Sequence, residues 1–324
     1  MIRFFLKVFL LSFTAIAFSW FLEGAAYTFH YSKAQDTIPA GELTLPRTGI
    51  TLPGTQDANF LLLGMAGSSY PAPYLTDTIM VGRFDAARSR VTLVSIPRDL
   101  FVQIPGSKNV AKINSLYEIG RSFSPLEPEK FIKEKVEEMS GLPIRYYAVI
   151  DVAGLERLID SLGGVELEVK KPIRDPFYPG PNYSYEPFYL EAGVHHLSGH
   201  DAVRFARSRY APRGDFERIE RQHQLLRSLK EALASRAFSL ENVFSLFSDL
   251  NGHLFTNVSV KDLPCLLAAF FSLSNGEIET LTLDMGPEGL LKEGHAASGA
   301  YILTPKAGLE NYEEIKKFFS RISD

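Results

Sequence analysis

Phe60-Leu61-Leu62-Leu63-Gly64 carries no polar side chain before its closing glycine. A short apolar run ended by a turn former reads as a fully buried strand at the heart of an α/β core. Two further strands are expected downstream at 78–84 and 91–96, joined by a polar turn at 85–88. A charged amphipathic helix follows at 128–139, stopped by Gly141 and Pro143. Then come a strand at 146–150, a helix at 155–162 closed by Gly163-Gly164, and a strand at 165–169. Residues 171–191, mixed in Pro, Gly, Tyr and Asn, read as an excursion or flap. Helices are expected at 199–203 and 219–235, mostly helix over 240–271, a strand at 278–283 and a last helix at 311–322. Strands interleaved with helices predict a layered α-β-α domain around a mixed sheet.

Upstream of that domain, residues 8–22 carry no charge and are preceded by Arg3 and Lys7. Fifteen residues of helix span roughly 22 Å, and adding Phe4, Phe5 and Leu6 brings the segment close to a bilayer crossing. Basic residues before the apolar run hold that end on the cytoplasmic side, so the chain after it is exported. A retained transmembrane helix within 1–31 is the favoured reading. A cleaved signal peptide, with Gly24-Ala25-Ala26 as its small-residue site, is the other. Residues 32–57 form a Thr/Pro/Gly linker, and 58–324 the extracytoplasmic domain.

The 34 Lys and Arg against 38 Asp and Glu leave a net charge of -4, which argues against nucleic acid as partner. Cys265 is the one cysteine, so intramolecular disulfides and cysteine metal clusters are excluded. No GxxxxGK[ST], HExxH or GxSxG motif occurs. His195, His196 and His200 lack the acidic ligand pattern of a metal site.

The chemistry concentrates in 201–227. Arg204, Arg207, Arg209, Arg213, Arg218, Arg221 and Arg227 fall there without one lysine. Arg in place of Lys favours planar, bidentate recognition of phosphate or carboxylate. Arg207 and Arg209, two apart, share a side if the segment is extended. Asp215, Arg218 and Gln222 share a helix face, with Asp215 as the expected N-cap. Arg204 and Arg227 are left to ordinary surface pairing. A second cluster comes from the strand ends: Asp77, then Arg98-Asp99, then Lys112. Ligands of open α/β sheets bind beyond the carboxyl ends of strands. Carboxylates there suit a hard divalent cation shared with phosphate oxygens, so the two clusters together suggest a diphosphate–metal site.

These segments resemble the LytR–CpsA–Psr family of cell-envelope proteins. The matching pieces are LLLG (61–64), TDTIM (76–80), VSIPRD (94–99), KIN (112–114), LIDSLGGVELEV (158–169), GVHHLSGHDAVRFARSR (193–209) and GDFERIERQ (214–222). The resemblance runs from Asn59 to Ala234, with a fainter echo at 299–319. It implies transfer of a glycopolymer from a polyprenyl diphosphate carrier to peptidoglycan, forming a phosphodiester, with the lipid in an apolar pocket and Mg2+ assisting. On that resemblance Asp77 helps hold the metal, while Arg98, Arg207, Arg209, Arg218 and Gln222 contact the diphosphate and Lys112 supports them. Asp99 is a candidate base and, like Asp77, a candidate metal ligand; Arg221 joins the substrate contacts. Two positions depart from the family pattern: Ala66-Gly67 where many members carry Asp, and Leu75 where many carry Arg. Asp99 or Asp215 would then complete the metal site. Hydrolysis of polyprenyl diphosphates and non-enzymatic binding of lipid phosphate are the alternatives.

Overall fold

A computed structural model of the chain describes residues 57–180, 184–209, 214–235, 248–259, 262 and 278–322. The membrane segment and almost all of the linker read from the sequence lie outside these residues, as does Cys265. Among the described residues, no helix is long and apolar enough to cross a membrane.

The centre is a mixed sheet. Strands β1 (Ala58–Met65), β2 (Thr76–Asp85) and β3 (Arg90–Ser95) form an antiparallel meander. The short β4 (Phe101–Gln103) and β5 (Val110–Lys112) pair beside it. After a 3-10 turn come helices α1 (Leu116–Phe123) and α2 (Lys130–Ser140). Strand β6 (Tyr146–Asp151) then runs parallel to β1. Helix α3 (Val152–Ser161) starts where Asp151 accepts the Gly154 N–H at 2.8 Å, a cap worth about 1 kcal/mol.

A second layer follows. Strands β7 (Val165–Val169) and β10 (Gly193–Leu197) pair antiparallel, flanking a ribbon of β8 (Ile173–Asp175) and β9 (Phe188–Leu190). The excursion expected at 171–191 is therefore an ordered antiparallel ribbon over these residues. Helices α4 (Gly199–Arg207) and α5 (Asp215–Ser235) come next. The sheet is completed by β11 (Leu254–Thr256), antiparallel to β6, and by β12 (Ile278–Thr282), parallel to β3. Its order is β11-β6-β1-β2-β3-β12. A hairpin of β13 (Leu291–His295) and β14 (Tyr301–Pro305) precedes helix α6 (Glu313–Arg321).

Two expectations need correction. Strand β1 is not buried on both faces alike: Leu61, Leu63 and Met65 are buried, whereas Phe60, Leu62 and Gly64 are half-buried. The first set packs with Val81 and Val94 under Leu116, Ile132, Val136, Ile315 and Phe319 of α1, α2 and α6. Phe60 and Leu62 of the second meet Phe84, Leu93 and Leu226 of α5. Helices thus cover both faces, but one more completely. The second correction concerns 240–271, expected to be mostly helical, where residues 254–256 form β11. A turn with Gly252 at φ 78 stands just before it, and Gly is the residue that adopts such a φ at little cost. Most of the rest of that span lies outside the described residues.

Candidate active site

The site is assembled at one end of the sheet. Register between β1 and β2 runs Gly64↔Thr78 and then Met65↔Thr76, so Asp77 is an extra residue in its strand. A bulge of this kind re-aims a side chain. Asp77 Oδ1 accepts from Arg98 at 2.6 Å and Oδ2 from Arg209 at 3.0 Å, while its carbonyl accepts from Arg218 at 3.0 Å. Arg98 lies three residues beyond the end of β3, where the Ile96 N–H still bonds to the Ile79 carbonyl at 2.9 Å. Its Nε is 3.2 Å from Asp215 Oδ1, which is also 2.8 Å from Arg218.

Asp215 is not the N-cap. Helix α5 begins with it, and the Gly214 carbonyl accepts the Arg218 N–H at 3.2 Å, leaving the Asp215 carboxylate to face the arginines. Nor is Arg207 in an extended segment. Helix α4 continues to Arg207, and the chain leaves it only at Ser208 (ψ 137). The helix ran past 203 because Phe205 and Ala206 supply two more buried positions.

Burial pushes the Asp77 carboxyl up, but Arg98, Arg209 and Arg218 outweigh it and hold it below the usual carboxylate range. Arg218, 2% exposed, is pushed down to about 10 by burial and by its neighbours Arg98 and Arg209, against the pull of Asp215. It remains protonated at neutral pH. Both Asp215 oxygens, with Nε of Arg98 and of Arg218, are buried and lack a hydrogen bond among the described residues despite these ion-pair distances. Such under-satisfied polar groups are costly, and they mark a place where an additional ligand improves the balance.

Arg207 differs from its neighbours. Its guanidinium lies over the Tyr70 ring at 4.4 Å and near Tyr178 at 5.8 Å, and donates to the Tyr178 hydroxyl at 3.3 Å. Among the described residues it has no carboxylate partner. Four guanidiniums (Arg98, Arg207, Arg209, Arg218) therefore accompany two carboxylates (Asp77, Asp215), an excess of two positive charges.

The other residues read from the sequence are placed as follows. Lys112 donates to Asp99 Oδ1 at 2.5 Å, and Asp99 Oδ2 lies 3.7 Å from Arg98 Nε. Gln222, half-buried one turn beyond Arg218, makes no hydrogen bond among the described residues. Arg221 is taken elsewhere: it donates to the carbonyls of Phe205 and Ser208, closing the carboxyl end of α4 from below. Helix carbonyls near a C-terminus attract cations, which is why it does not face the anion site. Arg204 stacks on Phe188 at 4.7 Å and bonds to the Pro187 carbonyl at 2.8 Å. Arg213 lies outside the described residues. His195 and His196 bond to the carbonyls of Glu191 and Gly163, whereas His200 pairs with Glu156. Among the described residues, no three Asp, Glu, His or Cys side chains gather to hold a metal. At the departure position, Gly67 has φ 85 and a Cβ there would lie 3.0 Å from the Asp151 side chain, so a side chain at 67 would be strained and crowd Asp151.

Two groups of residues escaped the sequence reading. Tyr70, Asp175 and Tyr178 surround the Arg207–Arg209 segment; their only trace in sequence was aromatic richness in loops. Ser95 and His223 form a buried 2.7 Å pair joining β3 to α5. Burial, with Arg227 nearby, pushes His223 down to about 4. Because the folded value lies below the ordinary 6.5, the unfolded chain takes up the proton first. Stability is therefore full above pH 6.5 and falls as pH drops towards 4, by roughly 3 kcal/mol from this group. Urea titrations at pH 7 and pH 4.5 should show that decline in the wild type and a shallower one in His223→Gln.

Comparison with known proteins identifies the family and the fold. The LytR_cpsA_psr family model matches residues 27–316. Regulatory protein MsrR of Staphylococcus aureus (strain Mu50) is 32% identical over 187 residues, 56% of this chain and 51% of that protein. The aligned part thus spans about half the length of that relative. TagU of Enterococcus faecalis, named a polyisoprenyl-teichoic acid–peptidoglycan teichoic acid transferase, is 25% identical over 74% of each chain. Among solved structures, B. subtilis TagV superposes with TM-score 0.64 at 23% identity, covering 83% of this chain and 97% of that one. TagT bound to LIIa-WTA superposes with TM-score 0.61 at 22% identity, covering 89% and 98%. These two likenesses are of fold.

Proposed function

Because the chain belongs to the LytR–CpsA–Psr family, we propose that it transfers a glycopolymer from a polyprenyl diphosphate carrier to peptidoglycan, leaving a phosphodiester link. The observation that carries this reading is the excess of two guanidinium charges around Asp77 and Asp215. A diphosphate carries the complementary charge, and Arg offers it paired donors. The name of the TagU relative, a transferase of teichoic acid to peptidoglycan, fits the same chemistry. The proposed setting is the outer face of the cell membrane, with the chain held by its apolar amino-terminal segment.

In the reaction, an acceptor sugar hydroxyl bonds to the glycan-side phosphorus. The bond from that phosphorus to the bridging oxygen breaks, and polyprenyl phosphate leaves with the electron pair. Arg98, Arg209 and Arg218 would hold the non-bridging oxygens, with Arg207 and Gln222 beside them. Catalysis is then positioning and neutralisation of charge that builds in the transition state. Asp99 is the proposed base: Oδ1 is engaged by Lys112, and Oδ2, 3.7 Å from Arg98 Nε, is the oxygen that would accept the hydroxyl proton.

Mg2+ fits the donor set in a limited way. Mg2+ commonly uses one or two carboxylates together with substrate phosphates. Asp215, whose oxygens are buried without a hydrogen bond, and Asp77 are the two that would hold it, and Asp77 would have to release Arg98 or Arg209 to do so. Asp99, with Lys112 on Oδ1 and Arg98 near Oδ2, is in the same position as a third candidate. When bound, the ion would withdraw charge from the phosphate oxygens.

The test is a product assay on the full chain in detergent, with a farnesyl diphosphate-linked disaccharide and peptidoglycan. Label recovered on the wall through a phosphodiester is the expected result. Label released free would make the protein a hydrolase, and retention of intact lipid with no turnover would make it a binding protein.

A further inference from the structure

We infer that Tyr70 and Tyr178 are positioning residues that hold the Arg207 guanidinium for the transferring phosphate, an inference that rests on the transfer reading above. Arg98, Arg209 and Arg218 are aimed by carboxylates, so their charge is partly spent inside the protein. Arg207 is aimed by rings. A face of a guanidinium against an aromatic ring keeps its charge and its in-plane N–H groups, which are the edge that meets an oxyanion. One N–H goes to the Tyr178 hydroxyl; the other edge donors have no partner among the described residues.

The two tyrosines come from different elements, and each is itself fixed. Tyr70 sits in the loop between β1 and β2, where its N–H bonds to the Gly67 carbonyl at 3.1 Å and the Gly67 N–H to Pro73 at 3.0 Å. Tyr178, 3% exposed, belongs to the ribbon of β8 and β9. Its ring lies 6.1 Å from Phe188 and has Arg204 at 5.4 Å on another side. The ribbon is tied to the arginine segment a second time: Ser208, between Arg207 and Arg209, donates to the buried Asp175 at 2.8 Å. Asp175 also accepts the Phe177 N–H at 3.2 Å. Ribbon, loop and the end of α4 therefore converge on one side chain. The arrangement leaves the remaining N–H donors of Arg207 as the group a phosphate would meet.

Tyr70→Leu, Tyr178→Leu, Tyr178→Phe and Arg207→Ala would be assayed with the farnesyl diphosphate-linked disaccharide and peptidoglycan, each alone and the leucine changes also combined with Arg207→Ala. Each leucine change should lower kcat by about ten- to a hundredfold with KM moved less than about threefold, since a misaimed guanidinium loses transition-state contact first. Tyr178→Phe keeps the ring and should stay within about threefold of wild type. In the Arg207→Ala background the leucine changes should cost less than about twofold, because the group they position is gone. Equal costs with and without Arg207, or wild-type kcat in both leucine variants, would overturn the positioning role while leaving the transfer reading intact. Wild-type turnover in Arg207→Ala would overturn the positioning role by taking Arg207 out of the site, whereas no transfer by the wild type would overturn the transfer reading itself.

Discussion

Arg207→Ala should lower turnover by about 10²–10³-fold while shifting the thermal midpoint by no more than a few degrees. The two halves of that expectation have separate causes. Arg207 has no carboxylate among the described residues, so its removal strands no buried anion. The stability lost is the ring contact, about 0.5–1 kcal/mol, plus one long hydrogen bond from the guanidinium to the neutral Tyr178 hydroxyl. Rate is a different matter, because an unneutralised guanidinium is the group best able to respond to charge that builds on a transferring phosphoryl oxygen. Arg207→Lys keeps the charge and loses the flat fork and its stacking, and should recover only part of the rate. Initial rates and thermal scans on the same preparations check both halves. Wild-type turnover in the alanine variant would place the reacting anion elsewhere.

Asp77→Asn should damage both properties. Asp77 is the carboxylate shared by Arg98 and Arg209, and its carbonyl meets Arg218. Without its charge, three guanidiniums are left with Asp215 and, for Arg98, the more distant Asp99. Breaking a buried ion pair from one side costs about 3–5 kcal/mol; partial exposure of Asp77 puts this variant at the lower end, near about 3 kcal/mol. Turnover should fall by about 10²-fold, comparable to loss of an oxyanion donor, since the arginines would repel one another out of register. The pH signature follows from the depressed carboxyl of Asp77. Its stabilising contribution is present above the unfolded value of 3.8 and is lost as pH falls through the lower folded value. The variant should therefore lack that part of the wild-type acid transition. A bound anion can replace a missing carboxylate, so inorganic pyrophosphate should raise the thermal midpoint of Asp77→Asn more than that of wild type. An equal rise in both would mean that the arginines do not form one electrostatic unit.

How much of this was legible beforehand depended on whether a residue's role was written in its own type and spacing. Asp77, Arg98 and Arg218 are brought together by strand ends and a helix start, features that local sequence marks. The mixed sheet was likewise visible in the apolar runs of β1 and β3. What separates Arg207 from Arg209 is invisible in a string of arginines, because it lies in which carboxylates each one meets across the fold. Arg221 reads like its neighbours, yet it is drawn to the exposed carbonyls at the end of α4. Tyr178 and Asp175 sit in a stretch whose composition signals irregular chain; their burial depends on pairing β8 with β9, a tertiary event. Strand β11 was hidden for a related reason, since three residues carry too little periodicity to be told from helix.

The sheet order has a consequence for how the molecule comes into being. Strand β3 is finished by residue 95, but β12, its parallel neighbour, is not made until residues 278–282. Asp77 and Arg98 must similarly wait for Arg209 and Arg218. During synthesis the growing chain therefore carries an open strand edge and an incomplete cluster of charges for most of its length. Contacts so distant along the chain close slowly, and open edges invite pairing with other chains. Shortened forms that stop before residue 278 should accordingly be recovered as aggregates, and their inactivity would report on assembly and not on chemistry.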